Sequence, residues 1–327
     1  MVRFGVIGTN WITESFLDGA RQLEDFLVTT VYSRSEEKAK EFAEKHGATH
    51  TYTDLDEFAE SKEFDAVYIA SPNSFHAEQA ILCMNHGKHV IIEKSIASNA
   101  KEVERIMEAS KNNGVVAMEA LKTTFLPNFQ TIQENLHKLG PIRRYFASYC
   151  QYSSRYDAYK EGTILNAFNP KFSNGSLMDI GVYCTYPMVA LFGKPKKLLA
   201  SSLLLESGVD GQGSIMFEYE AMSGVIMYSK ISNSYVPSEI QGEKGSMLID
   251  NFNSPTHVEI RYKDGTVEDI TREQVDNTMY YEAKAFLETI QSGKKESDVN
   301  TLERSLITSQ LLEEARKQTG VVFPADQ

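Results

Sequence analysis

Val2-Arg3-Phe4-Gly5-Val6-Ile7 followed by Gly8-Thr9-Asn10-Trp11-Ile12-Thr13 decides how this chain begins. The first six residues are rich in apolar and β-branched types and read as a buried strand. The next six occupy the place of a G-x-G-x-x-G turn, and an amphipathic stretch, Trp11 to Gln22, follows as a helix. Only the first glycine of that turn is kept. Asn10 stands at the second position, where the backbone must approach a pyrophosphate, and Thr13 at the third. Asparagine tolerates left-handed backbone angles, so the turn is expected to survive with Asn10 in that role. The helix amides beyond it are expected to hold phosphate oxygens.

Working outward, the alternation continues. Phe26 to Tyr32 reads as a strand, Glu36 to His46 as a charged helix, and Ala66 to Ile69 and Lys88 to Ile92 as two buried strands. Val115-Val116-Ala117-Met118 is the last strand expected of this part. Such βαβ alternation predicts a doubly wound parallel sheet with helices on both faces, assigned to residues 1–120. Strand two ends in Ser33-Arg34, where an enzyme that uses NAD often carries Asp or Glu for the ribose hydroxyls. A hydroxyl beside an arginine fork suits a ribose 2′-phosphate instead, so NADP is favoured over NAD. After the strand Val67 to Ala70 comes Ser71-Pro72-Asn73-Ser74-Phe75-His76. This loop is expected to pass beneath the cofactor with Asn73 as donor or acceptor, Ser74 capping the next helix and His76 in its first turn.

The character changes after Pro127. A helix over Pro127 to Lys138 and a long strand over Ile142 to Tyr152 precede several alternating segments between Lys197 and Ile270. A switch from alternating βα to runs of strands predicts an α+β second domain, residues 121–327, around a large, mostly antiparallel sheet. Met279 to Ser292 and Thr301 to Thr319 read as helices able to return to the first domain.

Two segments carry the chemistry. Glu93-Lys94 follows the apolar run His89-Val90-Ile91-Ile92, which places Lys94 at the carboxyl end of a parallel strand, where open α/β sheets hold their ligands. In Asp179-Ile180-Gly181-Val182-Tyr183, an acid and a phenol lie four residues apart, on one face if the segment is helical. An ammonium, a carboxylate and a phenol can move an alcohol proton while a hydride leaves. The free phenol titrates near 10, so Tyr183 acts as a base near neutrality only if a cation such as Lys94 favours its phenolate. Lys94 would also stabilise developing alkoxide charge, and Asp179 would orient Lys94 or the substrate hydroxyls.

In order, Gly8-Thr9-Asn10-Trp11-Ile12, Ser33-Arg34, Ser71-Pro72-Asn73-x-x-His76, Glu93-Lys94, Met118-Glu119-Ala120 and Asp179-x-Gly181-x-Tyr183 resemble the Gfo/Idh/MocA oxidoreductases. The resemblance implies an amino-terminal Rossmann domain and a carboxyl-terminal domain with a large open sheet, through which members often dimerise. It implies cofactor contacts from these motif residues, including Trp11, Ile12, His76, Glu93, Lys94 and Glu119, and catalysis by Lys94, Asp179 and Tyr183. The usual Glu-Lys-Pro appears here as Glu93-Lys94-Ser95, and Tyr183 stands where many members carry His. The tyrosine variant is similar to the glucose–fructose oxidoreductase and dihydrodiol dehydrogenase branch, which tends toward NADP. The expected activity is hydride transfer between a nicotinamide and a secondary alcohol or carbonyl of a sugar, polyol or trans-dihydrodiol-like compound. The alternative of a different class is a dinucleotide-binding regulator of the same fold.

Composition narrows the partners. A net charge of −12 gives no support to nucleic-acid or anionic-membrane binding. No apolar run approaches the roughly 18 residues of a membrane span. Cys83, Cys150 and Cys184 form neither a disulfide framework nor a metal pattern, which fits a reducing cytoplasm.

Overall fold

The computed structural model describes residues 1–327, which divide into two compact units. The first comprises Met1–Leu121 and Val275–Ser305; the second comprises Lys122–Gln274 and Leu306–Gln327.

In the first unit the expected alternation gives β1 (Val2–Ile7), α1 (Trp11–Ala20), β2 (Phe26–Tyr32), α2 (Glu36–His46), β3 (His50–Tyr52) and α3 (Leu55–Glu60). It continues with β4 (Ala66–Ile69), α4 (Asn73–Asn85), β5 (His89–Glu93), α5 (Ala100–Asn113) and β6 (Ala117–Ala120). All pairings are parallel, and the sheet order is β3-β2-β1-β4-β5-β6. The order reverses beside β1, so a crevice opens between the carboxyl ends of β1 and β4. The strands β4 and β6 are buried throughout, as the apolar runs require of a sheet covered on both faces. Phe16 of α1 stacks on Tyr68 of β4 with ring centroids 3.9 Å apart. Gly19 lets the segment at Tyr280 approach, since a Cβ there would lie 2.8 Å from the Tyr280 nitrogen. The short β3 and α3 escaped the sequence reading because three strand residues carry too little periodicity.

The second unit is built on an eight-stranded sheet, with β7 (Ile142–Cys150) near its centre. Two short helices, α6 (Pro127–Asn135) and α7 (Ser154–Lys160), flank β7 in sequence. A π-turn over Leu177–Gly181 then runs into α8 (Val182–Phe192). The strands β8 (Lys197–Leu204), β9 (Asp210–Glu218), β10 (Ser223–Ser229), β11 (Ser238–Gly242), β12 (Gly245–Ile249), β13 (Val258–Tyr262) and β14 (Val267–Asp269) complete the sheet. Its order is β14-β13-β12-β11-β7-β10-β9-β8, antiparallel except for the β7–β10 pair. The expectation of a mostly antiparallel open sheet holds. Ile215, Phe217, Ile226 and Tyr228 point to a buried face. Leu199, Leu203 and Met216 point to the other face and are more than half exposed. The last helices are α9 (Met279–Gln291) and α10 (Leu302–Thr319). No helix is long and apolar enough to cross a membrane.

Candidate active site

The crevice at the carboxyl end of the parallel sheet is a cavity of ≈ 700 Å³. Of the expected cofactor residues, Gly8, Thr9, Asn10, Ser33, Arg34, Ser71 and Pro72 line it. Gly8 has φ +107°, and a Cβ there would sit 2.6 Å from the Ala70 carbonyl oxygen. The one retained glycine is therefore required twice, by its backbone angle and by the close pass of the β4 chain.

Asn10 corrects its expected role. Its φ is −136°, an extended conformation rather than a left-handed one. It caps α1 instead, accepting from the amides of Ile12 at 3.0 Å and Thr13 at 3.2 Å. Its Nδ2 donates to the Ala70 carbonyl at 2.8 Å, tying the first turn to the end of β4. Two of the helix amides expected to hold phosphate are thus engaged by the Asn10 side chain. Trp11 is 66% exposed, and neither it nor Ile12 lines the cavity.

At the other end, Ser33 and Arg34 follow β2, and Lys38 on the first turns of α2 joins them in the wall. Phe75 lies beneath Arg34, with the guanidinium carbon 5.8 Å from the ring centroid. Lys38 and Phe75 were missed from sequence because a lysine on a charged helix and a phenylalanine in a helix start look ordinary.

In the Ser71–His76 loop, His76 lies in the first turn of α4 as expected, but the cap differs. α4 begins at Asn73 with Pro72 in the cap position and no side-chain cap, so Ser74 does not cap it. Asn73 is buried, and Ser71 Oγ donates to Gln79 Oε1 at 2.6 Å. His76 is fully buried and does not line the cavity. Its Nε2 lies 2.7 Å from the Ser71 carbonyl and its Nδ1 3.0 Å from the Ser95 carbonyl. Burial pushes the ring down to about 4 against the two carbonyls, which favour its protonated form, and the side chain sits between the two loops as a spacer.

Lys94 immediately follows β5. Beside it Glu93 is buried, and its Oε1 accepts from the Tyr68 hydroxyl at 2.5 Å. Glu119, at the end of β6, accepts from the Ile96 amide at 3.0 Å, holding the segment after Lys94. Burial raises the Glu119 carboxyl to about 7. Neither glutamate lines the cavity; both act on the segment that carries Lys94.

In the second unit, Asp179 lies in the π-turn and Tyr183 in the first turn of α8. Gly181 between them admits Tyr228, whose ring would sit 3.2 Å from a Cβ at that position. The Tyr183 ring meets Tyr149 of β7 edge-on, centroids 5.9 Å apart, and Asn253 Nδ2 donates to the Tyr149 hydroxyl at 3.2 Å. Asp179 is paired with Lys230, a residue the sequence did not single out.

Fold and cavity define a dinucleotide-binding oxidoreductase whose parallel-sheet domain is joined to an open antiparallel-sheet domain. Residues 2–121 match the oxidoreductase family with an NAD-binding Rossmann fold, and residues 129–248 match the GFO/IDH/MocA C-terminal domain. The chain belongs to the Gfo/Idh/MocA family, as its motifs implied. It is 59% identical over 327 residues to the scyllo-inositol 2-dehydrogenase (NADP(+)) IolU of Bacillus subtilis (strain 168), covering 100% of both chains. It is 29% identical over 340 residues to the trans-1,2-dihydrobenzene-1,2-diol dehydrogenase of Sus scrofa, covering 100% of this chain and 99% of that one. The fold is shared with the 3-ketoreductase KijD10 from Actinomadura kijaniata, solved with TDP-benzene and NADP. That match has a TM-score of 0.84 at 22% identity and covers 98% of this chain and 99% of the other.

Proposed function

We propose that this protein is an NADP-preferring dehydrogenase acting on a secondary alcohol of a cyclic polyol, with sugars and trans-dihydrodiols as neighbouring substrate classes. The full-length 59% identity to an NADP-dependent scyllo-inositol 2-dehydrogenase carries this reading. The cavity fits the cofactor chemically. Gly8 supplies the close backbone approach a pyrophosphate needs, while Ser33, Arg34 and Lys38 gather two cations and a hydroxyl where a 2′-phosphate would lie. Bound there, the nicotinamide supplies or accepts the hydride.

The chain's own residues handle the proton and the orientation. Tyr183 takes the hydroxyl proton as general base and returns it in the reverse direction. Lys94 stabilises the developing alkoxide. Asp179 accepts hydrogen bonds from substrate hydroxyls, which suits a polyol with several donors. Glu93, Glu119 and His76 hold the segment that bears Lys94 in place. The protein works in the cytoplasm, and it dimerises through the exposed apolar side of its large sheet around Leu199, Leu203 and Met216.

The test is turnover, followed by nicotinamide absorbance, with NADP and then NAD against scyllo-inositol, myo-inositol, aldoses and cyclic trans-diols. Reduction of NADP by an inositol in preference to the other classes is expected. Tight NADP binding with no turnover across the panel would replace this reading with the non-catalytic regulator. Light scattering of the purified protein should report a dimer, and a monomer would remove the sheet from that role.

A further inference from the structure

Lys230 directly follows β10 and is 5% exposed. Its backbone is fixed on both sides: its amide donates to the Gly211 carbonyl and its carbonyl accepts from the Ser153 amide, each at 2.9 Å. Its ammonium donates to Asp179 Oδ2 and lies 5.7 Å from the centroid of Phe168. The pair is unequally buried, since the lysine side chain is 6% exposed and the aspartate side chain 24%. The cation is the deep partner and the carboxylate the accessible one.

That asymmetry decides what the lysine can do. A buried ammonium is costly to desolvate, and an apolar residue of similar volume often serves stability as well or better. An ion pair at this place is therefore poorly explained by packing alone. Lys230 is nearly enclosed, and its influence on the chemistry is taken to pass through the more accessible Asp179. An ammonium on Oδ2 restricts the rotation of the carboxylate. Asp179 is also held by its backbone, whose amide donates to the Gly175 carbonyl at 3.0 Å. A second buried acid, Asp210, accepts from the Leu177 amide at 2.6 Å and anchors the first residue of the same π-turn.

We propose that Lys230 is a positioning residue for the reaction, holding Asp179 aimed so that it accepts hydrogen bonds from a polyol substrate. The proposal rests on the reading of Asp179 as substrate-facing, and the experiment separates the two. Lys230→Met, Lys230→Arg, Asp179→Asn and the Lys230→Met/Asp179→Asn double variant are compared in steady-state kinetics with inositol and NADP. Lys230→Met should lower kcat/KM for the polyol by about ten- to a hundredfold, the scale of one charge-assisted hydrogen bond. KM for NADP should not move. Lys230→Arg should recover most of the loss, and the double variant should be no slower than Asp179→Asn alone.

Additive losses in the double variant, or a folded Lys230→Met enzyme with unchanged kcat/KM, would overturn the proposal. If Lys230→Met fails to fold but the double variant folds, the double variant decides: turnover no slower than Asp179→Asn supports the proposal, and slower turnover overturns it. If both fail to fold, Lys230 serves the fold independently of Asp179 and the proposal is wrong. An Asp179→Asn enzyme with normal kinetics would remove the substrate-facing reading itself, and this proposal with it.

Discussion

The protein places cations in two contrasting settings. At the cofactor cavity, Arg34 and Lys38 are exposed side chains on a loop and a helix start, with Phe75 beneath the guanidinium. In the second unit, Lys230 is buried and committed to a single carboxylate. Exposed charges keep their hydration until a ligand displaces it, so they discriminate between ligands while contributing little to the fold. A buried charge must be compensated within the protein, so it fixes geometry and tolerates little change. The first arrangement suits a choice between two similar cofactors; the second suits holding one reactive group in one orientation.

The contrast can be broken hardest at the two residues proposed to handle the proton. Tyr183→Phe and Lys94→Ala should each lower turnover by roughly 10²–10⁴, the range of lost acid–base help, while the Kd for NADP stays nearly constant. Unchanged turnover in both variants would remove the proton-handling assignment. At the exposed end, Arg34→Ala should raise KM for NADP by about ten- to a hundredfold and leave KM for NAD almost untouched. Equal losses for both cofactors would show that Arg34 holds something other than the 2′-phosphate.

A smaller effect concerns the buried acid beside the Lys94 segment. The folded-state pKa of Glu119 is raised to about 7, above its unfolded value, so the folded protein binds a proton that the unfolded chain has already released. Its contribution to stability is therefore present at acid pH and declines as pH rises from about 4.5 through 7. Glu119→Gln should flatten the decline, improving stability relative to the parent by on the order of 2 kcal/mol more at pH 7 than at pH 5. Denaturant melts at the two pH values measure it, and a difference independent of pH would show that Glu119 is ionised in the fold.

What could be read beforehand divides along the same line. The parallel sheet was legible because Val2–Ile7, Phe26–Tyr32 and Ala66–Ile69 are compact apolar runs that only a doubly covered sheet accommodates. Gly8 was legible because its position between a strand and a helix restricts what else can stand there. Asn10 was misread, since the same residue type serves both a left-handed turn and a helix cap, and only the local backbone decides between them. Lys230 was invisible: a lysine ending an alternating strand looks solvated, and nothing local shows that it turns toward a carboxylate 51 residues earlier. His76 presented the reverse case, a motif residue whose burial turns it from a contact into a support. Contacts between distant segments account for Lys230 and His76, and the local backbone for Asn10.

The most direct test of the central claim follows the hydrogen itself. Scyllo-inositol deuterated at its carbinol carbons is incubated with the enzyme and NADP, and the recovered cofactor is examined by mass spectrometry. Transfer of one deuterium to the nicotinamide, abolished or severely slowed in Tyr183→Phe, is the predicted result. NADP that is bound but recovered without deuterium from this substrate, and likewise from deuterated aldoses and trans-diols, would contradict the account and leave a dinucleotide-binding protein that does no redox chemistry on alcohols.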